Sequence, residues 1–173
     1  MRGICPSDLK VPLEEFQKAG AAVDADEENC QIRICMRKRP LPLLIKTEPY
    51  PGFPTDLQSP FMAFLATALG TSYIEEQVFE GRFATAKILE QMGAVIRTED
   101  QRAVIEGHYP LKGAAVNACD LRGGAALMVA ALTAEGDTFI GECHHIERGY
   151  EDICRDMAAL GAHIRWVEND FTR

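Results

Sequence analysis

Two aspartates and three arginines carry the chemistry that this sequence offers, and each stands at the edge of a predicted element. Asp56 lies in Thr55-Asp56-Leu57-Gln58 and Asp120 in Asp120-Leu121-Arg122, each at the mouth of a long apolar stretch. An Asp at such a place can cap a helix by accepting backbone N–H bonds, with no catalytic role. Its company points further. Arg122 follows closely on Asp120, and Gly123-Gly124 in the first turn would let a ligand approach the amides at the positive end of a helix dipole. A guanidinium there grips carboxylate or phosphate through two parallel hydrogen bonds. Arg82 in Glu80-Gly81-Arg82-Phe83 and Arg148 in Glu147-Arg148-Gly149-Tyr150 form a matched pair, each beside a Gly and ahead of an amphipathic stretch. If these elements converge, Arg82, Arg122 and Arg148 clamp a polyanion beside a carboxylate placed for proton transfer.

Other chemistries find less support. Cys143-His144-His145 resembles a metal cluster, but no second ligand pair stands at zinc spacing, so no metal is expected. Six scattered cysteines without a Cys-x-x-Cys pair read as reduced thiols rather than a disulfide framework. The basic run Arg37-Lys38-Arg39 reads as a solvated turn between strands. Eighteen Lys+Arg against 26 Asp+Glu give a net charge of −8, which disfavours a nucleic-acid partner. No apolar run approaches the roughly 18 residues that span a bilayer, and the start of the chain has no signal-peptide shape. A cytoplasmic protein with no membrane partner is the expectation. With 47% hydrophobic and 25% charged residues, the composition is that of a globular domain and excludes a disordered or collagen-like chain.

What must position these residues is an internal repeat. Three times an amphipathic stretch ends in Gly-Ala and turns into an alternating strand: at Gly20-Ala21, Gly93-Ala94 and Gly161-Ala162. Each Gly is a helix C-terminal signal. The strands expected after them are Ala22–Asp26, Val95–Thr98 and His163–Val167. Upstream, the last two copies each place an Asp before a stretch apolar all round, Ser59–Leu69 and Gly123–Ala134, and equivalent points recur 64 to 68 residues apart. Each unit then reads strand, buried helix, strand, amphipathic helix, strand, strand. A helix hydrophobic on every side belongs in the interior. The amphipathic helices, with Lys87 and Glu90 or Glu151, Asp152 and Arg155 on one face, are expected to cover the outer side of a sheet. Units fall at about 1–40, 41–107 and 111–173. The first is incomplete, which predicts one partial domain from a longer chain.

The segments Tyr50–Gln58, Val78–Phe83, Asp120–Leu127 and His145–Tyr150 resemble the UDP-N-acetylglucosamine carboxyvinyltransferases, and the similarity runs from about Ser7 to Val167. The resemblance implies the inside-out α/β barrel of enolpyruvyl transferases, with this chain forming part of the C-terminal portion. It implies transfer of the enolpyruvyl group of phosphoenolpyruvate to the 3-hydroxyl of UDP-N-acetylglucosamine in peptidoglycan precursor synthesis, without metal or organic cofactor. Asp56 matches the general base at the sugar hydroxyl, and Val78 matches a position that helps hold the sugar nucleotide. Arg82, Arg122 and Arg148 match arginines around phosphoenolpyruvate, and Asp120 matches a second acidic group. Gly81 departs from a pattern in which Asn is frequent, and Gly-Gly follows Arg122.

The family's proton-donating Cys sits on a loop of the other domain, and none of the six cysteines here matches it. The partners implied are therefore the two small-molecule substrates, the enzyme's N-terminal segment and its second domain, and the fragment alone is expected to be inactive. A second reading is a catalytically silent sugar-nucleotide or anion-binding domain of the same fold, since sites rather than folds carry function.

Overall fold

Two helices carry apolar residues around most of their circumference, and they pack against each other at the centre. The computed structural model describes residues 1–167. Within them α1 spans Lys10–Lys18, followed by the hairpin of β1 (Ala22–Asp26) and β2 (Gln31–Cys35). The middle unit holds β3 (Leu44–Lys46), α2 (Gln58–Leu65), β4 (Thr71–Glu75), α3 (Ala84–Gln91), β5 (Val95–Glu99) and β6 (Arg102–Glu106). The last holds β7 (Leu111–Lys112), β8 (Ala115–Asn117), α4 (Leu121–Ala131), β9 (Ala134–Glu135), β10 (Phe139–Gly141), α5 (His144–Glu147) and α6 (Ile153–Ala159). This is the strand–helix–strand–helix–strand–strand order predicted for the middle copy.

Phe61, Met62 and Leu65 of α2 and Ala126, Leu127 and Ala130 of α4 are buried in one core, where the two helices meet. Each large side chain buried there contributes about 1.5–3 kcal/mol. Phe16 of α1 lies on the same core, 4.9 Å from the Phe61 ring and 5.5 Å from Phe64. Outside the helices runs a four-stranded sheet of order β3-β4-β6-β5, with β3 parallel to β4 and the other pairs antiparallel. Its register puts Ile45 beside Ile74, Ile74 beside Ala103 and Ile96 beside Ile105, all facing the core. In the last unit the strands flanking α4 pair in parallel, β8 with β10 and β7 with β9.

Three expectations are corrected. First, α3 does not lie over the outer face of the sheet. It packs inside with α2 and α4 and buries Ala86 and Leu89, while Lys87 and Glu90 face solvent. The outer face is mixed and stays in solvent: Arg97 bonds Glu106 across it at 2.7 Å and Arg102 lies over the Tyr73 ring, while Leu44 and Val95 stand exposed on it. Second, residues 163–167 form no strand. Their counterparts β1 and β5 each pair with the strand that follows, and 163–167 find no such partner among the described residues; a strand without a ladder is not stable. Residues 168–173, the end of the last predicted unit, lie outside the described residues. Third, Arg39 is not a solvated turn residue: its guanidinium donates to Thr67 O at 2.9 Å and Ala68 O at 2.7 Å, satisfying carbonyls just beyond α2.

The Gly-Ala ends behave as predicted. Gly20, Gly93 and Gly161 have φ of +99°, +86° and +98°, the left-handed conformation that closes a helix.

Candidate active site

The chain enters α2 through a 3-10 turn, Thr55–Leu57, set up by Pro54. This geometry separates the two aspartates that look equivalent in sequence. Asp120 is a true N-cap of α4: its Oδ1 accepts from Gly123 N at 2.7 Å. Asp56 caps nothing. The N-cap of α2 is Leu57, without a side-chain bond, and the Asp56 carboxylate is turned outward.

There it meets two of the predicted arginines. Arg122 donates through Nε to Asp56 Oδ1 at 3.0 Å and through Nη2 to Oδ2 at 2.8 Å, a two-pronged charge-assisted contact. Arg82 Nη1 stands 3.5 Å from Asp56 Oδ1, and its guanidinium lies over the Phe79 ring, 4.7 Å from the centroid. The Arg122 bond is the main cause that holds the Asp56 carboxyl below its usual range; partial burial opposes it and Arg82 adds to it. Arg122 is stabilised in its charged form in turn, with Asp120 and Tyr150 adding to the effect of Asp56.

Asp56, Val78, Arg82 and Arg122 together line an open cleft of about 400 Å³, with Glu48, Pro49, Tyr50, Pro54, Thr55 and Phe79 forming the rest of its wall. Asp120 and Arg148 are not part of that lining. Both still belong to the same end of α4. The turn after α5 that carries Arg148 packs its Gly149 onto Leu121, where an added Cβ would lie 2.6 Å from Leu121 Cδ1. Arg148 itself is exposed at the C-terminal end of α5.

Gly123 and Gly124 do not open the helix end to a ligand, contrary to the sequence expectation. The Gly123 amide is taken by Asp120, and a Cβ there would lie 2.7 Å from Cys119 Sγ and 2.9 Å from Thr85 Oγ1. At Gly124 it would lie 2.5 Å from Ile146 Cγ1. These glycines let α3 and α5 approach α4, and so bring Arg82 and the Arg148 turn toward Asp120. Gly124→Ala should therefore destabilise the protein. Overpacking costs about 1–3 kcal/mol, against at most about 1 kcal/mol gained in helix propensity. A fall in the denaturant midpoint at unchanged slope is the expected result. Gly81 has φ of +70° with no atom within 4 Å of an added Cβ, a conformation that Asn also tolerates. Its difference from the frequent Asn leaves the backbone path intact.

The sequence reading missed Glu76. It lies beyond the end of β4 on the inward alternation Ser72, Ile74, Glu76 and is 1% exposed. A carboxylate at an inward period-2 position was the available signal. No group of His, Cys, Asp and Glu that could hold a metal occurs among the described residues, and no helix there is long and apolar enough to cross a membrane.

Comparison with known proteins bears on the family and the fold. The profile of the EPSP synthase (3-phosphoshikimate 1-carboxyvinyltransferase) family matches residues 4–157. The chain is 45% identical over 169 residues to UDP-N-acetylglucosamine 1-carboxyvinyltransferase 1 of Legionella pneumophila (strain Lens), covering 98% of this chain and 33% of that protein. It is 46% identical to UDP-N-acetylglucosamine 1-carboxyvinyltransferase of Desulfofundulus thermocisternus, covering 95% of this chain and 67% of that protein. The chain thus spans from a third to two thirds of the length of these relatives. Among solved structures, the enolpyruvyl transferase NikO from Streptomyces tendae superposes with a TM-score of 0.80 at 31% identity, over 91% of this chain and 36% of that one. EPSP synthase from Acinetobacter baumannii shares the fold, with a TM-score of 0.70 at 20% identity over 94% of this chain and 38% of that one. The architecture is that of the enolpyruvyl transferases, and the chain belongs to their family, in the branch of the UDP-N-acetylglucosamine 1-carboxyvinyltransferases.

Proposed function

We propose that these residues form one wall of the active site of a cytoplasmic UDP-N-acetylglucosamine carboxyvinyltransferase, acting with further segments of a longer enzyme. The observation that carries this reading is the Asp56 carboxylate gripped by Arg122 and Arg82 at the mouth of the cleft. The group able to take a proton is paired with the groups able to hold an anion.

Phosphoenolpyruvate brings a phosphate and a carboxylate that compete for both guanidiniums. As the arginines turn to it, Asp56 loses the partners that depress its proton affinity. It then takes the proton of the sugar 3-hydroxyl while that oxygen bonds to C2 of phosphoenolpyruvate. C3 receives a proton from an acid supplied by another segment, giving a tetrahedral intermediate. A base of the completed active site takes a proton from C3, restoring the C2–C3 double bond as the bond between C2 and the phosphate ester oxygen breaks and phosphate departs. Arg82, Arg122 and Arg148 stabilise the anionic charge through these steps. Val78 helps hold the sugar nucleotide, and Asp120, the second acidic group, caps α4 and favours the charged form of Arg122.

The test is to graft residues 1–173 into the Legionella pneumophila relative in place of the matched third. The grafted enzyme should release phosphate when phosphoenolpyruvate and UDP-N-acetylglucosamine are both present. The isolated chain should release none above a buffer blank, because convergent groups lose their effect steeply when partners are missing. A grafted enzyme that binds the sugar nucleotide but releases no phosphate would support the silent binding domain instead.

A further inference from the structure

Glu76 accepts four hydrogen bonds and none of the donors is a Lys or Arg. Its Oε1 accepts from Thr47 Oγ1 at 2.8 Å, Val78 N at 2.9 Å and Phe79 N at 3.0 Å. Its Oε2 accepts from Thr55 Oγ1 at 2.9 Å. Thr47, itself fully buried, also accepts from Gln77 N at 2.8 Å. The backbone beneath is fixed by the sheet: Glu76 N donates to Gln101 O and Thr47 N to Glu75 O. A buried carboxylate is costly unless its lone pairs are satisfied, and here satisfying them ties together two separate walls of the cleft. One wall is the Thr55–Leu57 turn that carries Asp56. The other is the Val78–Phe79 loop, whose Phe79 ring supports Arg82.

We infer that Glu76 is a positioning residue for the transfer reaction, holding the Asp56 turn and the Arg82 loop in one register through Thr55 and the Val78 and Phe79 amides. The inference rests on Asp56 being the base proposed above. Glu76 touches no substrate from its buried position. Its influence reaches the reaction only through the turn and loop that it anchors.

Four variants of the grafted enzyme test this. Thr55→Val removes the hydroxyl at nearly constant volume, and Glu76→Met removes the carboxylate acceptor at similar side-chain length. Each should lower kcat by about tenfold to a hundredfold, as a displaced catalytic group does, while KM for phosphoenolpyruvate moves by less. Because both break the same bond, the double variant should be no slower than the slower single one. Thr55→Ser, which keeps the hydroxyl, should recover most of the parent kcat. An active parent with an unaffected Thr55→Val, additive losses or no rescue by Ser overturns the inference and leaves the proposed function standing. An inactive parent refutes the proposed function and, with it, the inference that rests on it.

Discussion

Asp56→Asn in the grafted enzyme should lower turnover by at least about a hundredfold, since general-base contributions are typically ~10²–10⁴-fold. Asn keeps the shape of the side chain and one acceptor oxygen, but it cannot take the hydroxyl proton. Stability should hardly change, because Asp56 caps no helix amide and its ion pairs are half exposed. Exposed pairs of that kind contribute about 0–1 kcal/mol. The melting temperature should therefore stay within a few degrees of the parent. The sign with pH follows from the lowered Asp56 value. What stability the pair gives is present above the unfolded carboxyl value near ~4 and fades as pH falls through the lower folded value. Parent and variant should converge in acid. Near-normal turnover of Asp56→Asn would remove the base from this site.

Arg122→Lys is the second large effect, and it acts on binding. Lysine keeps the charge but not the planar fork that now holds both Asp56 oxygens. A lost hydrogen bond to a charged group costs about 1.5–3 kcal/mol. KM for phosphoenolpyruvate should therefore rise at least about tenfold, with kcat falling as well. Steady-state rates at varied phosphoenolpyruvate and saturating sugar nucleotide measure this. An unchanged KM would place the anion elsewhere.

What the sequence made legible was its periodicity. The interior helices announced themselves by being apolar on nearly every side, and α2 and α4 are indeed the packed centre. The Gly-Ala pairs marked helix ends because a left-handed residue is needed there, and all three glycines supply it. Local pattern could not distinguish Asp56 from Asp120. Their difference arises from a 3-10 turn after Pro54 and from Arg122, 66 residues away. The roles of Gly123 and Gly124 are hidden from local pattern for the same reason. What a missing Cβ makes room for depends on Thr85 and Ile146, which only the folded chain brings close. The placement of α3 inside the sheet depends on its packing with α2, α4 and β5, which only the folded chain brings together. Glu76 was the one site residue with an unused local signal, a charge at an inward position of β4's alternation.

The most direct measurement is a crystal structure of the grafted enzyme with UDP-N-acetylglucosamine and inorganic phosphate bound together. The account predicts that Arg82 and Arg122 turn from Asp56 onto the phosphate. It predicts further that an Asp56 carboxylate oxygen stands within about 2.6–3.2 Å of the sugar 3-hydroxyl. A sugar 3-hydroxyl remote from Asp56, with the carboxylate still locked to Arg122 in the presence of both ligands, would contradict it.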